Sequence, residues 1–216
     1  MNNKGLFNPP KKMQQFPQNV QRMLHQASNL NTHRQFVCTA LNPEFNDFVE
    51  LWAPRIYAFV FNALGPYGLE PLPEIKKMAD GYHIAGATAS FDPATGQIHL
   101  ATSIIGNHGR ALEKLTHEIT HASLSKFPED DDGFYTEGYV DYSVWIMAHA
   151  PLWTPYREAM IKEATYNIQT RKERAIRGGS NWDKKRYAGG LFASQAYGPY
   201  MVARLKQKKL EGDFTW

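Results

Sequence analysis

The chain has a single cysteine, Cys38, in 216 residues. No disulfide can close within it, and zinc sites of the ribbon or finger type, which need two or more thiolates, are excluded. Any metal must therefore be held by nitrogen and oxygen. Long apolar runs are also lacking: no stretch approaches the roughly 20 residues of a membrane span. Lys4, Lys11 and Lys12 are not followed by the apolar segment of a secretory leader. The expectation is a cytoplasmic protein with no membrane partner, with delivery as part of a larger assembly left open. An excess of one charge is missing too. The formal net charge is only +3 with eight His neutral, too little to call for nucleic acid. Lys and Arg near the C-terminus alternate with acids, as on any solvated helix, so a nucleic-acid partner is not expected.

Acidic residues are absent from the first 35 positions, which are rich in Asn and Gln and carry Lys and Arg. Such a segment buries little apolar surface by itself. Residues 1–35 read as an N-terminal arm, anchored by Phe7, Phe16, Met23 and Leu24, that drapes over the domain or docks to an assembly partner. Residues 36–216 read as one catalytic domain.

In that domain Phe48, Leu51, Trp52, Ile56, Phe59, Val60 and Ala63 recur at helical spacing, giving one helix or two short ones broken at Pro54. Gly65-Pro66 ends it, and a loop leads to about Met78. Turn residues at Asp92-Pro93 and Thr95-Gly96 lie between alternating segments, with Ile98 and Leu100 on one face, and predict an antiparallel hairpin. Helices are expected over Arg110 to about Ser125, Tyr135 to about His149, Arg157 to Ile176 and Ser194 to Leu210. Gly178-Gly179 and Gly189-Gly190 would separate the last of them.

The chemistry concentrates in His117-Glu118-Ile119-Thr120-His121. Histidines four apart share one helix face and can aim two imidazole nitrogens at one ion, while Glu118 sits beside that ion rather than on it. Zinc hydrolysis needs this combination: two neutral imidazoles bind, and a carboxylate takes a proton from an activated water. A third ligand must come from another element. In Thr136-Glu137-Gly138-Tyr139-Val140-Asp141, Glu137 and Asp141 share a face; Glu137 suits ligation, and Asp141 can accept the second N–H of a ligand imidazole. His149, the only His after His121, competes with Glu137 as ligand, or is a helix-terminal His favoured in its cationic form.

The segments HEITH at 117–121 and TEGYVD at 136–141 resemble the active-site helices of gluzincin metallopeptidases, the group of thermolysin-like and M1-type enzymes. The resemblance covers about thirty residues. It implies Zn2+ as cofactor, His117, His121 and Glu137 as its ligands, Glu118 as general base and Asp141 behind a ligand His. It also implies a peptide or protein substrate. Fifteen residues separate His121 from Glu137, fewer than in the best-known members, so the connection is tighter. No segment matches the motifs that bind a free substrate amine, which favours an endopeptidase.

A donor opposite the metal should stabilise charge on the scissile carbonyl oxygen. In gluzincins a Tyr at the start of a late helix often does this, which nominates Tyr197, with Tyr187 and His149 as rivals. A strand around Gln97 to Thr102 is expected to offer an edge for an extended substrate, and the acidic run Glu129 to Asp132 reads as a solvated loop, with a preference for basic substrates as the alternative. The order of elements gives an α+β fold, mostly helical, with a small antiparallel sheet backing the active-site helix, and the resemblance implies that it is zincin-like. The alternative function is a structural component of a larger assembly that keeps this fold and docks by its arm.

Overall fold

The computed structural model describes residues 43–64, 72–78, 87–124 and 134–206. The arm at 1–35 and the acidic run at 129–132 lie outside the described residues. Those described form a mostly helical α+β fold with a three-stranded mixed sheet.

Helix α1, Pro43–Leu64, is continuous through Pro54. The bond that Pro54 cannot donate would go to the carbonyl of Glu50, on an exposed turn where water can serve instead. Phe45, Trp52, Ile56 and Val60 are all 4% exposed or less. Leu51, expected on the apolar stripe, faces solvent.

The sheet holds β1 (Glu74–Lys77), β2 (Ala89–Asp92) and β3 (Gln97–Leu100) in the order β1-β3-β2. The predicted hairpin is present: Asp92 pairs with Gln97 and Phe91 with Ile98. Asp92 builds its turn, accepting from the backbone nitrogen of Ala94 at 2.9 Å and the hydroxyl of Thr95 at 2.7 Å. Gly96 takes the positive φ of 66°, a conformation that costs other residues about 1–2 kcal/mol. Strand β1 replaces part of the expected loop and pairs with β3 in parallel, so the sheet is mixed rather than antiparallel. Only Ile75 of its four residues is buried. A strand that short carries no alternation to read and exists because β3 offers it a partner.

Helix α2, His108–Ser123, starts at Asn107, whose side chain accepts from the backbone nitrogen of Arg110. It packs against α1, the sheet, α3 (Phe134–Ala148) and α4 (Arg157–Ile176). Leu112, Leu115 and Ile119 are wholly buried, and so are Thr116 and Thr120. These threonines, with Ser123, donate to carbonyls one turn back, which satisfies polar groups on a helix with little access to water. Helix α3 is also apolar on most sides, and α5 (Asn181–Ala196) is its principal neighbour.

Gly189-Gly190 does not separate helices. It lies inside α5, and a shorter helix α6, Gly198–Lys206, follows. Propensity alone makes a glycine pair a break. Here the gain from close packing prevails: a Cβ on Gly138 of α3 would overlap the backbone carbonyl oxygen of Arg186 and lie 2.6 Å from the nitrogen of Gly190. Among the described residues no helix is long and apolar enough to cross a membrane.

Candidate metal centre

Two buried helices bring the site together. From α2, the Nε2 atoms of His117 and His121 stand 3.1 Å apart. From the first turn of α3, Glu137 places Oε1 3.0 Å from Nε2 of His121 and Oε2 3.4 Å from Nε2 of His117. These three side chains could hold a metal ion. Bonds of 2.0–2.1 Å in a tetrahedral zinc site separate ligand atoms by about 3.3–3.4 Å, so the observed spacings are close to what a zinc ion needs. Access is graded: the His117 side chain is 6% exposed, His121 16% and Glu137 29%. One flank is closed and the other reaches solvent, as an open coordination position requires.

The charges also call for a cation. Burial pushes the His117 pKa down, but the bond to Glu137 and the charges of Glu137, Glu118 and Asp141 outweigh it and hold the group above its ordinary value. Burial pushes Glu137 up, and the bonds to His117 and His121 outweigh it and hold the carboxyl well below the carboxylate range. Without a metal, the raised His117 pKa favours a cationic imidazole facing this carboxylate. Glu118 is 7% exposed and next in sequence to His117.

Asp141 lies one turn beyond Glu137. Its Oδ1 is 3.4 Å from Nδ1 of His117, the nearest acceptor for a ring nitrogen that is buried and closes no hydrogen bond in this geometry. Asp141 is instead gripped by Arg186 of α5, which donates from Nε to Oδ2 at 2.5 Å and from Nη2 to Oδ1 at 2.7 Å. Nη1 of the same guanidinium is 2.8 Å from Oε2 of Glu137. Burial pushes the Asp141 pKa up, but the charge and hydrogen bonds of Arg186 outweigh it and hold the carboxyl below its ordinary range.

The sign of the resulting pH dependence follows. Stability from a depressed carboxyl is fully present above its unfolded value, about pH 4, and is lost as the pH falls toward the lowered folded value. With metal removed by chelator, Asp141→Asn is expected to be less stable than the parent by roughly 3 kcal/mol near neutrality. The gap should narrow below about pH 4 in urea titrations, and a gap that stays constant down to pH 3 would contradict a carboxylate held low.

Arg186 is the functional residue that sequence reasoning missed. In Lys184-Lys185-Arg186 it reads as part of a solvated basic run, yet it is 9% exposed while Lys184 is on the surface. The available signal was the stripe Asp183, Arg186, Gly190, Ala193, all buried on one face of α5 and mostly small.

Other candidates fall elsewhere. His149 follows the far end of α3, twelve residues from Glu137, or about 18 Å along the axis. Its Nδ1 bonds to the carbonyl oxygen of Trp145 at 2.9 Å. Burial lowers its pKa, which disfavours a cationic cap, and its distance along α3 keeps it from joining His117, His121 and Glu137 as ligand or donor. The Tyr197 ring meets Tyr139 edge-on at 5.3 Å and Phe192 at 6.1 Å. At about 100° per residue, Tyr139 faces roughly 180° round α3 from the stripe of Glu137 and Asp141, so this packing does not direct Tyr197 to the metal-facing side. Tyr187 follows Arg186 on α5 and is half-buried. The expected substrate edge at Gln97 to Thr102 is overturned: β3 is the middle strand, hydrogen-bonded on both sides, and Thr102 has left the sheet for a single 3-10 turn. Strand β2, which packs more extensively on α2 than β3 does, pairs on one side only among the described residues.

No protein-family model, curated protein or solved structure matches the chain.

Proposed function

We propose that the protein is a zinc-dependent peptidase, with His117, His121 and Glu137 as ligands and Glu118 as general base. The observation that carries this reading is the convergence of two imidazole nitrogens and a carboxylate at 3.0–3.4 Å, with a further carboxylate, the buried Glu118, close enough for its charge to act on His117. Structural zinc sites close all four positions with protein ligands, whereas hydrolytic ones use three and leave one for water. Three donors with one solvent-facing flank match the second kind. The nitrogen and oxygen set also suits other borderline divalent ions, and zinc is favoured because two His with one carboxylate is its common hydrolytic set. The resemblance of residues 117–121 and 136–141 to gluzincin helices supports amide hydrolysis.

A divalent ion held there supplies Lewis acidity and makes a water acidic enough to attack near neutral pH. Glu118 takes a proton from the attacking water as its oxygen bonds to the scissile carbonyl carbon. It then delivers that proton to the leaving nitrogen as the C–N bond breaks. Arg186 and Asp141 are buried beside Glu137 and His117 and would keep them in place. With β3 covered on both sides, the side of β2 that is unpaired among the described residues is the edge on which an extended substrate would lie.

Metal analysis tests this reading directly. The purified protein is expected to hold one zinc per chain. Glu137→Ala should weaken zinc binding by at least 100-fold, measured by competition with a chromophoric chelator, since it removes a ligand rather than an outer partner. Parental affinity in that variant would remove Glu137 from the centre.

A further inference from the structure

Glu137 and Asp141 put two carboxylates one turn apart on one face of α3, Asp141 buried and Glu137 29% exposed, where two negative charges repel each other with limited water to screen them. Lysine could offset one of them, but it is a point charge. A guanidinium presents donors along two edges of one rigid plane. Arg186 uses both: Nε and Nη2 take the two oxygens of Asp141, and Nη1 takes Oε2 of Glu137. We propose that Arg186 is the positioning residue of this centre, locking Glu137 and Asp141 into one unit and engaging Oε2 of Glu137, so that Oε1 rather than Oε2 is the oxygen that binds the metal.

Three observations fix the guanidinium. Its backbone is pressed against α3 at Gly138, where no side chain could fit. Its plane lies over the ring of Trp182, 5.1 Å from the centroid, and Arg171 is 4.3 Å from the same centroid. Phe134, from the first residue of α3, meets Trp182 edge-on at 6.1 Å. The guanidinium is thus held by packing as well as by its ion pairs and does not depend on a bound metal for its place.

The consequence is a choice of coordination mode. Both oxygens face ligand nitrogens, Oε1 at 3.0 Å from Nε2 of His121 and Oε2 at 3.4 Å from Nε2 of His117, but Oε2 is the one that Arg186 engages, at 2.8 Å. A donor on Oε2 opposes chelation by both oxygens, which would take a further coordination position and crowd the one a hydrolytic site keeps open. Holding the carboxylate in one rotamer before metal arrives also removes an ordering cost from binding.

This inference rests on the metal reading above, and its test separates the two. Zinc affinity is measured by chelator competition for the parent, Arg186→Gln and Arg186→Lys, and visible spectra are recorded for each protein saturated with Co2+. Gln has no charge and only two N–H donors on one nitrogen, too few for the three contacts that Arg186 makes, and Lys keeps the charge without the fork. The Gln variant is expected to lose on the order of 10–100-fold in zinc affinity. Its cobalt bands should weaken and shift as Glu137 turns both oxygens to the metal, because five-coordinate cobalt absorbs less strongly than tetrahedral. Lys should recover part of the affinity but not the parental spectrum. If the Gln variant does not fold, the Lys spectrum decides alone. A parental cobalt spectrum at saturation in the folded variants overturns the proposal, with or without weaker binding, since a merely structural arginine would leave coordination unchanged. A parent that takes up neither zinc nor cobalt removes the metal reading itself.

Discussion

Glu118→Gln is expected to keep the metal content of the parent and to lose peptide hydrolysis by roughly 10²–10⁴-fold, the usual contribution of a positioned general base. The substitution keeps the shape of a side chain that is 7% exposed and replaces a proton acceptor by an amide that takes up no proton at working pH. Nothing in the ligand set changes, because His117, His121 and Glu137 supply the converging atoms. Removing the Glu118 charge also removes one of the influences that hold His117 above its ordinary pKa, which makes the neutral, metal-binding imidazole easier to form. Affinity should therefore be equal or slightly higher. Zinc stoichiometry, together with cleavage of a mixed peptide library followed by mass spectrometry, checks both halves. Cleavage by the variant at the parent's rate would end the assignment of Glu118, while lost zinc would make Glu118 part of the binding site instead.

Gly138→Ala should be the most damaging small substitution in the domain. A methyl group there would overlap the carbonyl oxygen of Arg186 and stand 2.6 Å from the nitrogen of Gly190. Both are backbone atoms of a helix, so no rotamer change relieves the contact and α5 has to move as a body. Overpacking against side chains costs about 1–3 kcal/mol; against helix backbone we expect at least about 3 kcal/mol, near the upper end of single-substitution effects. Because the displaced turn carries Arg186, the grip on Glu137 and Asp141 should loosen as well. Stability of the chelator-treated protein in urea and zinc affinity should therefore fall together. An alanine variant that unfolds at the parental urea concentration would show that α3 and α5 do not approach this closely.

The glycine also shows why part of the site was legible and part was not. Local spacing carries its own geometry: residues four apart on a helix share a face whatever the rest of the chain does. His117 with His121, and Glu137 with Asp141, could therefore be paired from sequence, as could the turn at Asp92 to Gly96 from its side-chain acceptors. Gly138 carried no such information. It read as part of a motif, although what demands it is a partner helix about fifty positions later. Gly189-Gly190 was misread for the same reason, since propensity describes an isolated helix and not one pressed against another. Strand β1 and the central place of β3 depend on a pairing between residues more than twenty positions apart, which period-2 alternation within either segment does not encode.

What the sequence determined by itself was the set of atoms that can bind and move protons: one cysteine too few for thiolate zinc, two histidines and three carboxylates at helical spacing. Those follow from composition and from the fixed geometry of one helix at a time. The tertiary structure decided which of them meet. It put Glu137 against His117 and His121, left His149 at the far end of α3, turned the packing of Tyr197 to another flank, and brought Arg186 out of an apparently solvated basic run to hold both carboxylates. Contacts between helices depend on how closely their backbones approach, and here a glycine facing a backbone carbonyl sets that distance.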